Sequence, residues 1–152
     1  MKCQPVILRA YAFEREILPG MVQSVTDKNG NIIETPVSPK ADYFIYLETG
    51  PVRSIDVKNI WINEVNYDAG LRIVNKTPVI LGIHPGPGNA DTLVKKTSNK
   101  VWEVQVKQKS DKKMPIALEQ SKSKIVIACL NNGKVFYYTL DQIKKLRPLS
   151  AQ

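Results

Sequence analysis

Histidine occurs once in this chain, at His84, and cysteine twice, at Cys3 and Cys129. So few ligands cannot build a four-ligand Cys/His zinc cage, and the two cysteines allow at most one disulfide. Long apolar runs are missing as well. The longest uncharged stretch, 77–90, is broken by Pro78, Pro85 and Pro87 and falls short of the roughly 18 apolar residues that cross a bilayer as a helix. A soluble chain is expected. Sustained 3.6-residue periodicity is also scarce, which excludes the helical crossovers of a parallel nucleotide-binding sheet.

Short β-type runs punctuated by turn residues fill the space that helices leave. "PVILRAYAF" reads as a first strand, and "MVQSVTDKNGNIIETPV" as two short runs about Asp27-Lys28-Asn29-Gly30. "DYFIYLE" alternates Tyr43, Ile45 and Leu47 with Asp42, Phe44, Tyr46 and Glu48. "SIDVKNIWINEVNY" is a strand or a pair turning at Asn63-Glu64. "GLRIVN", "TPVILGI" and "KVWEVQVKQ" follow, and "KIVIACL" and "VFYYTL" flank the Asn132-Gly133 corner of "NNGK", whose residue types supply the positive φ angles of a tight hairpin. In "KIVIACL", alternation puts Ile125, Ile127 and Cys129 on one face, so Cys129 is expected to pack as a small hydrophobe.

One helix is expected, over "TLDQIKKLRP". Thr139 and Gln142 have capping-box spacing, Ile143 and Leu146 stand three apart, and Pro148 is a stop. With 152 residues, 43% of them hydrophobic, the chain is long enough to bury roughly 70% of its unfolded surface. The expectation is therefore an all-β fold: a single antiparallel β-sandwich domain spanning 1–152, of immunoglobulin-like, Greek-key type, with a short C-terminal helix. A small β-barrel is the alternative. Two immunoglobulin hallmarks are missing, since no tyrosine lies two residues before Cys129 and Cys3 is too distant for the usual inter-sheet bridge.

The stretch "VILGIHPGPGNAD" invites a phosphate-loop reading. It lacks the Gly-Lys-Ser/Thr step and a following helix, and Gly82, Gly86 and Gly88 have the wrong spacing for a dinucleotide fingerprint. Pro85 and Pro87 stiffen the backbone while Gly86 and Gly88 allow sharp changes of direction, so His84 reads as a loop residue at a strand exit. "DKNGN" begins like a calcium loop, but the required Glu falls on Pro36 and a hairpin turn explains the same residues. Glu14 with Glu16, and Asp56 with Glu64 or Asp68, are the carboxylate pairs available for acid–base work, and none stands out from ordinary surface charge. The residue types lean away from catalysis. No cofactor and no metal is expected.

Charge carries more information. Residues 1–76 hold nine basic and nine acidic residues, so the whole net charge of +8 lies in 77–152. It concentrates in 94–124, where lysines outnumber acids nine to three, enough to steer the molecule toward an acidic surface. A structural or protein-binding module with an acidic partner is the leading expectation. Its candidate contacts are Lys95, Lys96, Trp102, Lys107, Lys109, Lys112, Lys113 and His84. Binding of nucleic acid or another anionic polymer through 94–124 is the alternative, with Trp102 as its stacking platform. Against it, 17 of the 22 basic residues are lysine, which grips phosphate as a point charge without the fork of arginine. Cys3 stands where a lipid-modified cysteine would follow a removed leader, which makes the cell envelope one expected location beside the cytoplasm.

Overall fold

The computed structural model describes residues 7–18, 24–26, 28–34, 40–51, 54–82, 90–119, 122–146 and 149–150. Its tight corners are marked by positive backbone dihedrals. Asn63 and Glu64 (φ 48° and 71°) join β5 (Ile55–Ile62) to β6 (Val65–Val74), and Asn132 and Gly133 (φ 52° and 79°) join β10 (Ile125–Asn131) to β11 (Lys134–Leu140). Two successive residues of positive φ give a hairpin the same twist as its strands. Nothing lies within 4 Å of a Cβ placed on Gly133, so Gly133→Ala is a purely backbone change. It is expected to cost about 1–2 kcal/mol, read as a lowered urea midpoint with an unchanged slope.

The remaining strands are β1 (Ile7–Leu18), β2 (Ser24–Thr26), β3 (Ile32–Glu34), β4 (Lys40–Thr49), β7 (Val79–Gly82), β8 (Ala90–Val94), β9 (Lys100–Lys109), β12 (Lys144–Lys145) and β13 (Leu149–Ser150). Nine of the thirteen strands among the described residues form one sheet in the order β11-β10-β5-β6-β9-β4-β1-β12, with β13 also on β1. Every pairing in it is antiparallel except those of β12 and β13 with β1. The fold is all-β, and the large sheet curls into a partly closed half-barrel. Register shifts between Ile7 and Arg9, between Ala128 and Cys129, and between Tyr67 and Ala69 supply the local bends that curling needs.

Alternation sorts the side chains. The inner face buries Ala12 of β1, Ile45 and Leu47 of β4, Ile60 and Ile62 of β5, Val104 of β9 and Ile125, Ile127 and Cys129 of β10 in one cluster. The outer face has two separate covers. The small β7–β8 sheet lays Leu93 and Val94 on Phe13, Tyr46 and Val101, while Met114 and Leu118 lie on Trp61, Val126 and Ala128. Each cover follows from parity, because residues such as Tyr46 and Trp61 point away from the inner core and need a lid to leave water. The layers are thus unequal, one large curled sheet and small additions, rather than the two comparable sheets of an immunoglobulin sandwich.

The C-terminal helix expected over 139–148 is not formed by 139–146, the part of it among the described residues. β11 runs to Leu140, and Lys144 and Lys145 then pair in parallel with Phe13 and Glu14 of β1. The open backbone of β1 outbids one turn of helix: the Leu146 amide donates to the Glu14 carbonyl at 2.8 Å. Ile143 and Leu146, which would share one helical face, instead pack against different clusters, the inner core and the β7–β8 side. The helical turn among the described residues is α1 (Ile116–Glu119), inside the lysine-rich segment.

Candidate functional site

Four lysines and two glutamates line one groove that includes Trp61. Ile60 and Ile62 take the inner face, so Trp61 is turned outward, yet it is only 5% exposed. The segment following β9 covers it and is pinned there by several hydrogen bonds. The Ser110 amide donates to the Asn66 carbonyl at 2.9 Å, the Lys112 amide to Asn66 Oδ1 at 3.1 Å, and Trp61 Nε1 to the Lys112 carbonyl at 3.1 Å. Asn66 is itself held by donating Nδ2 to the Ile60 carbonyl at 3.4 Å. On the far side the Asn63 amide donates to the Lys124 carbonyl at 2.8 Å. Residues 110–112 at one end and Lys124 at the other are thereby seated on the β5–β6 hairpin.

Between seat and segment lies a groove of about 940 Å³, with Trp61 at its base and Lys112, Lys113, Lys122 and Lys124 on its walls. Glu64 and Glu119 also line it, leaving the four lysines in excess. Among the described residues the ion pairs are Arg15 with Asp42 and Arg72 with Glu103, so none of these lysines is neutralised by a close carboxylate. Low-dielectric walls carrying charge of one sign focus the field into the groove. Chemically, it can hold carboxylates or phosphates with ammonium donors and pack a short apolar group against Met114.

The lysine-rich segment is split by β9. Lys95 and Lys96 are exposed before its start, and Lys112 and Lys113 follow its end, about 30 Å away at 3.3 Å per residue. Lys107 lies over Gly70, its Nζ 3.2 Å from where a Cβ would sit, and lines a second cleft of about 620 Å³ between β4, β9 and the β7–β8 sheet. Lys109 is exposed at the last position of β9, opposite Tyr67. Trp102 stands apart from the lysines: it packs against the inner core and donates Nε1 to Thr49 Oγ1 at 2.9 Å. His84 lies outside the described residues. Of the candidates among the described residues, Lys112 and Lys113 line the groove with Lys122 and Lys124, and Lys95, Lys96, Trp102, Lys107 and Lys109 are not in its lining.

Trp61 is one of the aromatics that alternation alone does not assign to the core, and it is absent from the candidate contacts. The signal for it lies in "NIWIN", where two isoleucines claim the inner face and leave an outward tryptophan. The cover lies in "MPIAL", an apolar island within a lysine-rich stretch.

Other candidates for chemistry resolve differently. Burial raises the Cys129 thiol to about 12 and it is free and fully buried, so it carries no thiolate at neutral pH. Cys3 lies outside the described residues. Asp56 is the second residue of β5 and Glu64 lies in the turn beyond its other end, roughly 20 Å away at 3.3 Å per strand residue, too far to attack one bond together. Among the described residues no group of three or more His, Cys, Asp or Glu is placed to hold a metal ion, and no helix is long and apolar enough to cross a membrane.

A second polar cluster sits near the Lys95 end. Glu48 of β4, 5% exposed, accepts from Tyr11 Oη at 2.8 Å, Asn99 Nδ2 at 2.7 Å and Thr97 Oγ1 at 3.2 Å. Those bonds, that of Asn99 foremost, hold its carboxyl below the usual carboxylate value despite burial. Both oxygens are satisfied, so the cluster ties β1, β4 and the 95–99 loop together. No protein-family model, no curated protein and no solved structure matches this chain.

Proposed function

We propose that this chain is a non-catalytic structural or protein-binding module whose lysine-lined groove at 112–124 receives an acidic stretch of a protein partner. The observation that supports it is the convergence of four unneutralised lysines on a groove whose backbone is fixed by hydrogen bonds to Asn66, Trp61 and Asn63. Pre-ordered walls spare the partner the entropy of organising them. A peptide fits better than single-stranded nucleic acid. Stacking needs an open aromatic face, whereas Trp61 is buried and its indole N–H is committed to Lys112. Glu64 and Glu119 in the lining also oppose a continuous phosphate chain.

The test is binding of an Asp/Glu-rich peptide, heparin and single-stranded DNA across a salt titration. The doubly reversed Lys112→Glu/Lys113→Glu variant is expected to weaken peptide binding by about tenfold or more, as loss of several modest surface pairs would. Lys95→Glu/Lys96→Glu serves as control. At about 30 Å it lies several screening lengths from the groove at physiological salt, where one length is about 8 Å, so the expected change is slight. Heparin or DNA binding tighter than the peptide, lost equally on both reversals, would favour a diffuse polyanion surface instead.

A further inference from the structure

The two edges of the large sheet are treated differently. At one edge β1 is plugged by β12 and β13, whose parallel pairing occupies part of its outer backbone. At the other edge, among the described residues, no strand follows β11. The sequence of β11, "KVFYYTL", holds no proline and no glycine, its register with β10 shows no bulge, and Lys134 is its one charge. Edges of that length and composition are usually broken by one of those devices, because unpaired N–H and C=O groups invite another strand.

Which groups are open follows from the hairpin. A two-residue turn makes its flanking pair, Asn131 and Lys134, a hydrogen-bonded one, and such pairs recur at every second residue. The Leu140 carbonyl, at the same parity, accepts from the Lys124 amide at 2.9 Å on the β10 side. Lys134, Phe136, Tyr138 and Leu140 therefore bond inward to β10, and Val135, Tyr137 and Thr139 aim their N–H and C=O away from the sheet.

We propose that a second copy of this chain pairs antiparallel along β11, with the two-fold axis at Tyr137. That register satisfies every outward group at once, because Tyr137 faces the partner's Tyr137 and Val135 faces the partner's Thr139, all of open parity. The side chains agree with it. On the outer face Tyr137 (41% exposed) gains the partner's Tyr137 as its cross-strand neighbour, and Val135 (47% exposed) gains the partner's Thr139 with Tyr137 on the diagonal. On the inner face Phe136 meets the partner's Tyr138 and extends the inner core, against which both residues already pack in one copy. The two Lys134 residues stand at opposite ends of the joined ladder, so no like charges face each other. A one-residue slip would put inward-bonded residues opposite open ones and lose the backbone pairing.

The dimer axis adjoins the groove, since the Tyr137 ring stands 6.5 Å from that of Trp61, and sedimentation equilibrium over the micromolar range in the absence of any acidic peptide tests the self-association by itself. The unmodified chain is expected to show reversible self-association. Tyr137→Lys sets two lysines against each other on the axis, at a position 41% exposed, and gives up the ring contact with Trp61. Val135→Pro removes an N–H that bonds nothing within one copy and leaves the side-chain faces otherwise alone. Each is expected to raise the dimer dissociation constant tenfold or more while the circular dichroism spectrum stays that of the parent chain. A monomer at every concentration would overturn the proposal. So would a dimer that both folded variants leave intact, or capture of an unrelated extended peptide by β11 without self-association.

Discussion

Trp61→Ala is expected to lose about 3–5 kcal/mol of stability, the largest effect of any single change considered for this chain. The indole is the centre of the smaller outer cluster with Val126, Ala128, Met114 and Leu118, so truncation removes a large apolar burial and leaves a cavity under the lysine-rich segment. It also orphans the Lys112 carbonyl that the indole N–H satisfies at 3.1 Å. Trp61→Phe separates the two contributions: the ring is retained, and the expected loss falls to about 1–2 kcal/mol for the missing donor and the smaller ring. Urea unfolding followed by far-ultraviolet circular dichroism measures both. Under the proposed function, binding of an acidic peptide falls as well, because a segment released from Trp61 no longer holds Lys112 and Lys113 over the groove. A Trp61→Ala loss below about 1 kcal/mol would mean that the segment is not seated on β5.

The second large effect concerns Glu48. Glu48→Ala strips the acceptor from Tyr11, Asn99 and Thr97 at once and is expected to cost about 1–3 kcal/mol, since the half-buried Tyr11 and Thr97 donors lose their partner while the exposed Asn99 turns to water. Acid should reveal the same contribution in the unmodified protein. The folded-state carboxyl is held below its ordinary value of 4.5 by the Asn99 bond foremost, with Tyr11 and Thr97 adding to it. Its stabilisation is therefore complete above the unfolded value and disappears as pH falls through the lower folded value. Glu48→Gln, which cannot ionise, should flatten that limb of the stability profile. Equal acid sensitivity in parent and Glu48→Gln would place the acid-labile interaction elsewhere.

Much of the strand pattern was legible because period two and the Asn-Gly corner are local. The alternation of Ile125, Ile127 and Cys129 placed the inner face correctly, and the turn at Asn132-Gly133 falls where its residue types put it. Local signals failed where long-range pairing decided. Ile143 and Leu146 suit a helix when read alone, but the open edge of β1 offers 144–145 a strand partner that the local pattern does not contain. The unequal division into one curled sheet and small covers depends in part on register shifts such as that at Ala128 and Cys129, and nothing in the side-chain alternation marks a bulge in advance. The basic segment was legible as composition only. β9 separates Lys95 and Lys96 from Lys112 and Lys113, and the Asn66 bonds that seat the latter pair cross more than forty residues of sequence. Trp102 lay inside the basic block, yet parity assigns it to the core side with Val104 and Val106.

Nuclear magnetic resonance titration of the isotope-labelled chain with an Asp/Glu-rich peptide tests the groove most directly. The predicted result is saturable movement of the Trp61 indole N–H and of the Lys112, Lys113 and Lys124 amides, with those of Lys95 and Lys96 unmoved. Movement centred on Lys95 and Lys96, or small shifts spread evenly over every lysine, would contradict the account.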